Sequence, residues 1–313
     1  MNKFKQILIE KKDWIGYVYL LPLLFLIICF IFVPILNSFN SSLVIYPNKH
    51  NLTITSKGFD NYLDVLSDKQ FYHAVKNSTL VLILGTALSF FIAFVISLSL
   101  ESLISKMTSN LLLTLIYSQF YISSFAVGTA FIYLFGEKNI FFKAFGSDFS
   151  FYFGKSNIFW YYVIFQIWRS LPFNIVLFSA SINKANIKYK RVMTIDNLSL
   201  FNKIKDIYLK EINKTIFVVI CTNFIFAFLM YPYIVLDEHF PIESRNGHTV
   251  ASYILKYLGI PKGEYWNKEK AFAASFSVLV FVFLNLIILH LLRPKFWKKL
   301  IQLIKHTKGE KNV

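Results

Sequence analysis

The sequence predicts an all-α membrane protein that crosses the bilayer six times, with both termini in the cytoplasm. Three observations carry that reading. Of 313 residues, 56% are hydrophobic and 19% aromatic, 35 of them Phe, and the mean hydropathy is +0.52. A water-soluble domain rarely combines these values, whereas a polytopic membrane chain does so routinely. Six apolar runs, each of a length that can cross a hydrocarbon core, alternate with polar segments. With the amino terminus inside, the inner segments hold 20 Lys and Arg against 12 on the outer ones. The two densest basic clusters, 184–214 and 293–313, then fall on one side, as the positive-inside rule requires.

Residues 1–14 form a cytoplasmic segment containing Lys3, Lys5, Lys11 and Lys12. The first span follows at about 15–36. It is too long for the core of a signal peptide, and no small-residue cleavage site comes after it, so a retained helix is expected. Pro22 and Pro34 are expected near its ends, where a helix tolerates proline best. Residues 37–76 are polar, and the string Gly58 to Ser78 at their end has the pattern of a short amphipathic helix at the interface. The second span is expected at about 79–100 and the third at 111–135. The third contains Gln119, Ser123, Ser124 and Gly128, small and polar residues of the kind that pack helix on helix in lipid. An aromatic outer loop, 136–156, leads to the fourth span at about 158–182. Arg169 is the one formal charge placed well inside a span, and such a group faces a bundle interior or an aqueous cavity. The fifth span, 215–236, carries Asn223, Tyr231 and Pro232. An outer loop precedes the sixth, 271–292, and a basic cytoplasmic tail, 293–313, closes the chain.

The net charge of +16 would point to nucleic acid in a soluble chain. Here topology and anionic lipid account for it, and no nucleic acid partner is expected. Cys29 and Cys221 both sit in apolar runs, which leaves no disulfide framework. The six His are scattered without metal-ligand spacing, so no metal is expected. There is no phosphate-binding loop of the GxxxxGK[ST] type and no GxGxxG, HExxH or CxxC. No cofactor and no catalytic residue is predicted. Transport energised by nucleotide hydrolysis would need a separate ATPase chain.

One long basic segment lies between two spanning runs, Asn186 to Lys214. It reads as two short helices, Ile187–Ile195 and Leu200 to about Ile212, joined at Asp196-Asn197. Asn tolerates the positive φ found just past a helix end, and the Ser199 hydroxyl can cap the second helix. That helix places Leu200, Phe201, Ile204, Ile207, Tyr208 and Ile212 on one apolar stripe. An apolar stripe held at a membrane surface fits a soluble partner. A plain basic loop would fit the same pattern.

This spacing resembles the cytoplasmic coupling loop of permease subunits in binding-protein-dependent ABC importers, written E-A-A-x3-G-x9-I-x-L-P. Asp196, Ile207 and Leu209 fall where that family usually has Asp, Ile and Leu. Arg191, Val192 and Met193 replace Glu-Ala-Ala, Asn197 replaces Gly, and Lys210 replaces Pro. Two further strings carry the resemblance. Gly58-Phe59-Asp60-Asn61-Tyr62, then Phe71 and Asn77-Ser78, is similar to the GLDNY…F…NT segment of sugar-type permeases. Trp168-Arg169 followed by Phe173-Asn174 is similar to their Trp-Lys/Arg-x3-Phe-Asn string. The resemblance spans about residues 15–293.

The resemblance implies an ABC importer type I permease fold and a sugar or glycerol-phosphate type solute. It implies a second permease subunit, a cytoplasmic ABC ATPase dimer docked on loop 186–213, and an extracellular solute-binding protein. The loop residues in that role would be Arg191, Ile195, Asp196, Asn197, Ser199, Phe201, Ile204, Ile207 and Leu209. Arg191 sets a cation where the family has Glu, so the partner permease is expected to carry the more regular loop. Arg169, Asn174, Asn223 and Tyr231 are the polar groups at depth that could line a solute pathway, although Asn174 and Asn223 could equally bond neighbouring helices. The competing class is an ATPase-independent membrane protein, a secondary transporter or a permease scaffold with a decayed loop. Paired intramembrane acids or inverted repeats would mark that class, and the sequence shows neither.

Overall fold

A computed structural model describes residues 18–46, 55–103, 105–152, 158–237, 240–260 and 266–291. The segments expected at 1–14 and 293–313 lie outside the described residues. What is described is mostly helical, with one two-stranded antiparallel ribbon, β1 (Val44–Ile45) against β2 (Ser56–Lys57). Five helices among the described residues are long and apolar enough to cross a membrane: α1 (Val18–Ser42), α3 (Lys69–Ser102), α7 (Ile158–Ile195), α8 (Leu200–Phe228) and α10 (Lys268–Leu291). A sixth crossing exists if α4 (Lys106–Tyr117) and α5 (Ser124–Phe135), bent by 100° at their junction, count as one span. The chain is a multi-pass membrane protein.

It divides into two units. The first comprises residues 1–67 and 254–313. Here α1 runs on to Ser42, beyond the expected end at 36. Pro34 lies inside the helix rather than near its end, and a π-helical turn, Ile28–Phe32, precedes it. A proline cannot donate to the carbonyl four residues back, so the ladder is already broken where the π turn forms. α1 packs on α10, with Phe39 edge-on to Phe276 at 5.2 Å. The Gly58–Tyr62 string clasps the C-terminal end of α1. Gly58 N–H donates to the Leu43 carbonyl, and Asn61 Nδ2 donates to the carbonyls of Ser42 and Val44. The Tyr62 and Ser42 hydroxyls share a 2.7 Å bond. Helix ends leave orphan carbonyls, and these contacts satisfy them where no further turn can. The expected amphipathic helix is α2 (Asp60–Ser67) alone.

The second unit is residues 68–253. Asp68 caps α3 by accepting from Gln70 N–H, so the helix starts ten residues before the expected span. Its seam with α7 is a row of small residues at fourfold spacing: Gly85, Ser89, Ala93 and Ser97. A Cβ on Gly85 would sit 2.7 Å from Gln166 Cγ, so only hydrogen fits there. Close backbone approach and side-chain hydrogen bonds, rather than hydrophobic burial, hold helices together in lipid. Ser89 Oγ accepts from Asn174 Nδ2 and from Ser170 Oγ, both at 2.8 Å, and Ser97 Oγ donates to the Ile175 carbonyl.

Three expectations about elements change. The third span is not one straight helix. After a 3-10 turn at Ser118–Tyr121 the chain breaks at Ile122, and Gly128 of α5 lies against the backbone of Ile234 so closely that a Cβ would overlap it. The fifth span ends at Phe228 instead of 236. Pro232 offers no N–H, and the residue before it, Tyr231, takes the extended conformation that a following proline imposes (φ −101°, ψ 109°). The stretch Leu229–Leu236 folds back instead, burying Met230, Val235 and Leu236 in an aromatic core with Tyr161, Tyr162 and Phe165. Finally, Ile187–Ile195 is no separate loop helix. It is the last two turns of α7, because nothing between Ile182 and Lys190 interrupts the helix.

Candidate functional site

Two places collect the residues singled out in the sequence. The first is the turn between α7 and α8. Asn197 takes φ +42°, and Leu198 N–H reaches back to the Met193 carbonyl while Asp196 N–H bonds Val192. This is a helix C-terminal motif of the Schellman kind, with Asn in the left-handed position where glycine is most common. Met193 and Leu198 pack on the same core, supplying its usual apolar contact. Ser199 then starts α8, accepting from Asn202 N–H as expected. A π-helical turn, Lys203–Tyr208, follows within α8.

The apolar stripe is divided by this geometry. Ile207, Tyr208 and Ile212 are buried and Ile204 is half-buried, all packed on the unit's own core beneath α3 and α7. Ile207 therefore does not belong to an open docking face, which corrects the expectation for that residue. What stands exposed is Ile195 (80%), Leu200 (77%), Phe201 (71%) and Leu209 (47%). Arg191, Asp196, Asn197 and Ser199 are exposed beside them. The turn is braced from behind by Asn186, a residue the pattern reading treated only as a boundary. Its Nδ2 donates to Glu101 Oε1 at 2.6 Å, and its Oδ1 accepts from the Tyr208 hydroxyl at 2.7 Å. One amide thus ties the ends of α3, α7 and α8 together. No motif marks it, since the roles come from helices distant in sequence.

The second place is a cavity of about 200 Å³ at the break in the third span. Its walls include Gln119, Phe120, Trp168, Arg169, Phe226 and Tyr231. Arg169 projects from α7, its guanidinium 4.8 Å from the centre of the Phe226 ring and 3.5 Å from the Phe226 carbonyl. Among the described residues no carboxylate pairs with it, and the cavity lining contains no Asp or Glu. The Tyr231 hydroxyl is buried and has no hydrogen-bond partner among the described residues.

Asn174 and Asn223, expected beside these two as pathway candidates, are elsewhere. Both are fully buried between helices, Asn174 bonded to Ser89, and Asn223 offering its backbone carbonyl to Gln166 Nε2 at 3.3 Å. Asn174 sits one helical face away from Arg169, since five residues along α7 turn the side chain by about 140° at 100° per residue.

Gln119 has a particular place in the cavity wall. Pro172 lies inside α7 and leaves the carbonyl four residues back, that of Trp168, without its helical donor. Gln119 Nε2 donates to that carbonyl at 3.0 Å. In a membrane such a freed carbonyl needs a neighbouring helix to satisfy it. Below this bond a larger, almost wholly apolar cavity of about 390 Å³ shares Gln119, Ile122, Val127 and Trp168 with the first and adds Pro172 and Ile175.

No protein-family model matches the sequence. The chain is 22% identical over 252 residues to the "Probable ABC transporter permease protein MG188" of Mycoplasma genitalium, covering 78% of this chain and 76% of that protein. It is 20% identical over 231 residues to the "Probable ABC transporter permease protein MG188 homolog" of Mycoplasma pneumoniae, covering 72% and 68%. Among solved structures, a bacterial ABC transporter involved in the import of the acidic polysaccharide alginate matches with a TM-score of 0.71 at 20% identity, over 92% of this chain and 97% of that one. A bacterial alginate ABC transporter in complex with alginate pentasaccharide-bound periplasmic protein matches with a TM-score of 0.67 at 20% identity, over 93% and 96%. By sequence the chain is homologous to ABC transporter permeases, and its fold is similar to that of an ABC importer permease.

Proposed function

We propose that this chain is a permease subunit of an ABC importer in the cell membrane, with both termini in the cytoplasm. With a second permease it forms the pathway for a sugar-like solute. An extracellular binding protein delivers that solute, and ATP hydrolysis on separate cytoplasmic subunits drives its passage. The observation that carries this reading is the turn at 196–199. It joins two spanning helices, presents Ile195, Leu200, Phe201 and Leu209 to the outside, and is braced by Asn186 from three helices. Exposed apolar side chains of that size at a polar turn are unfavourable in water, and a soluble partner with an apolar groove covers them. The periplasmic protein in the alginate importer complex supports the binding-protein step.

The experiment is co-expression of the tagged chain with its neighbouring genes, affinity purification in mild detergent, and measurement of nucleotide hydrolysis. The expected result is recovery of an ATPase and a second membrane subunit, with hydrolysis stimulated by a loaded binding protein. Recovery of the chain alone, with solute uptake that persists without ATP, would replace this reading with that of an ATPase-independent transporter.

A further inference from the structure

The aromatic loop after α5 takes no part in the reading above, yet it carries a surface of its own. The chain leaves α5 at Phe135 and enters the spanning helix α7 at Ile158, so the loop between them lies at the bilayer surface. Residues 136–152 are folded and tied down. Buried Asn139 takes φ +49° and starts a short helix, α6 (Ile140–Ala144), while its Nδ2 donates to the Phe149 carbonyl. Gly146, at φ +70°, ends it, and Ser147 N–H reaches back to the Phe142 carbonyl at 3.0 Å. Such a left-handed residue with a back-bond is the usual close of a helix. Inward, Phe142 lies 5.8 Å from Phe151, and Phe151 lies 5.6 Å from Tyr161 in the aromatic core. The Tyr152 hydroxyl accepts from Asp237 N–H at 3.1 Å. The rings that point outward are therefore held in place.

Those rings are Phe141, Phe145 (76% exposed) and Phe149. Phe141 and Phe145 are 5.2 Å apart, and Phe149 joins them through Phe142, at 5.4 Å from Phe141 and 4.9 Å from Phe149. Phe135 is 5.0 Å from Phe141, so the patch continues from the last turn of α5, where Tyr133 and Leu134 are exposed. Lys143, two residues on from Phe141, is turned about 200° away from it at 100° per residue. Lys138 lies over the Tyr133 ring, 4.4 Å from its centre. Glu137 and Asp148 balance these two cations, so nothing in the loop selects an anionic surface. A soluble partner would leave the three rings in water whenever it departed, which is unfavourable for a patch of this kind. The bilayer is always present. Rigid rings continuous with a helix of the membrane domain suit its interface, and a preorganised loop loses little freedom on seating there. We propose that Phe141, Phe145 and Phe149 form a lipid anchor, seated about 5–10 Å into the boundary between headgroups and acyl chains. The inference goes beyond the permease reading and stands apart from it, since it needs only the multi-pass fold.

The test places a polarity-sensitive nitrobenzoxadiazole dye on Phe145→Cys, in a background with Cys29 and Cys221 replaced by Ala. The full chain is purified with its associated subunits in phosphatidylcholine nanodiscs. Exposed Ser244→Cys, labelled in the same way, is the aqueous reference. Quenchers are phospholipids with a nitroxide near the head or at the end of the acyl chain, and aqueous iodide. Emission at position 145 should be blue-shifted from that at 244 and quenched most by the nitroxide near the head, whereas iodide should dominate at 244. Phe149→Cys should repeat the pattern of 145. Adding Phe141→Ser and Phe149→Ser should raise iodide quenching at 145 severalfold, with loss of the lipid quenching. Dominant iodide quenching at 145 in the otherwise unaltered loop overturns the proposal, because the rings then stand in water. Protection from all three quenchers overturns it too and assigns the patch to another subunit. Lipid quenching that survives both Ser substitutions also overturns it, since the span ends and not the rings would then set the loop's depth.

Discussion

Replacing Gln119 by Leu should destabilise the bundle, and the loss should vanish when Pro172 is replaced by Ala. The reason is arithmetic of hydrogen bonds. Pro172 removes one donor from α7, and Gln119 from the third span supplies another to the same carbonyl, that of Trp168, at 3.0 Å. Leaving a buried carbonyl unmet costs about 1–3 kcal/mol in proteins generally. Interhelical bonds inside membranes average about 0.6 kcal/mol and reach about 1.7. Trp168 borders two cavities, so its carbonyl is not tightly enclosed and the lower part of these ranges applies. Gln119→Leu should therefore cost about 1 kcal/mol. Pro172→Ala restores an N–H in α7, four residues on from the stranded oxygen, and in that background Gln119→Leu should cost about nothing, a coupling of about 1 kcal/mol in the double-mutant cycle. The assay is unfolding of the purified chain by SDS titration in mixed micelles, followed by helical circular dichroism. Equal losses in both backgrounds would show that the Gln119 bond does not compensate for the proline.

The remaining predictions concern the turn and the topology. Phe201→Asp should leave folding intact yet lower ATPase recovery by roughly 30-fold or more, the range of an interfacial aromatic anchor, while Ile207→Asp should abolish membrane accumulation because Ile207 is buried in the chain's own core. Equal behaviour of the two variants in both assays would remove the distinction drawn between them. Arg191→Glu restores the acid that the family loop carries at that position. It should be tolerated or raise ATPase association, and a destroyed association would mean that the partner surface has adapted to the cation. In a background with Cys29 and Cys221 replaced by Ala, Asn61→Cys should react with an impermeant thiol reagent on intact cells and Asn202→Cys only after lysis. Labelling of position 202 from outside would reverse the topology.

Hydropathy made the existence of the spanning helices legible, because about 20 consecutive apolar residues admit few alternatives. It could not place their ends. Lys69–Asn77 and Ile187–Ile195 are polar enough to read as short helices apart from the spans, yet both continue spanning helices, since charge does not break a helix and only a cap or a proline does. Asp68 and Asn197 are those caps, and the second was read from its residue type. The break in the third span was invisible because its signal is not at the break. Ile122 and Ser123 are ordinary residues, whereas the partner that fixes the geometry, the stranded Trp168 carbonyl, comes from Pro172 on another helix. The pathway candidates divided for a related reason. Depth in a span can be counted along the sequence, and of the four polar groups counted so, Arg169 and Tyr231 line one cavity. Which face a polar residue takes depends on its neighbours across the seam, and Ser89 draws Asn174 away from that cavity.

On the permease reading, the two candidate places are parts of one device. The helices that wall the Arg169 cavity, α7 and α8, are the two that meet at the exposed turn. From Ile195 back to Arg169, α7 is continuous over about 39 Å at 1.5 Å per residue, although the proline lies within it. The bonds between these helices are strong near the turn and weak near the cavity. At the turn end the Tyr208 hydroxyl meets Asn186 at 2.7 Å and Ser181 meets Thr215 at 2.7 Å. At the cavity end the contacts are Gln166 to the Asn223 carbonyl at 3.3 Å and Arg169 to the Phe226 carbonyl at 3.5 Å, near the limit of a hydrogen bond. A displacement applied to Phe201 would thus move the bonded end as one body, and the pair would part where its bonds are longest. That is the end holding Arg169, so motion at the turn would change the spacing between the guanidinium on α7 and the Phe226 and Tyr231 groups that face it. A packed pair of helices passes a small shift to a distant site in this way only when one end is stiffer than the other.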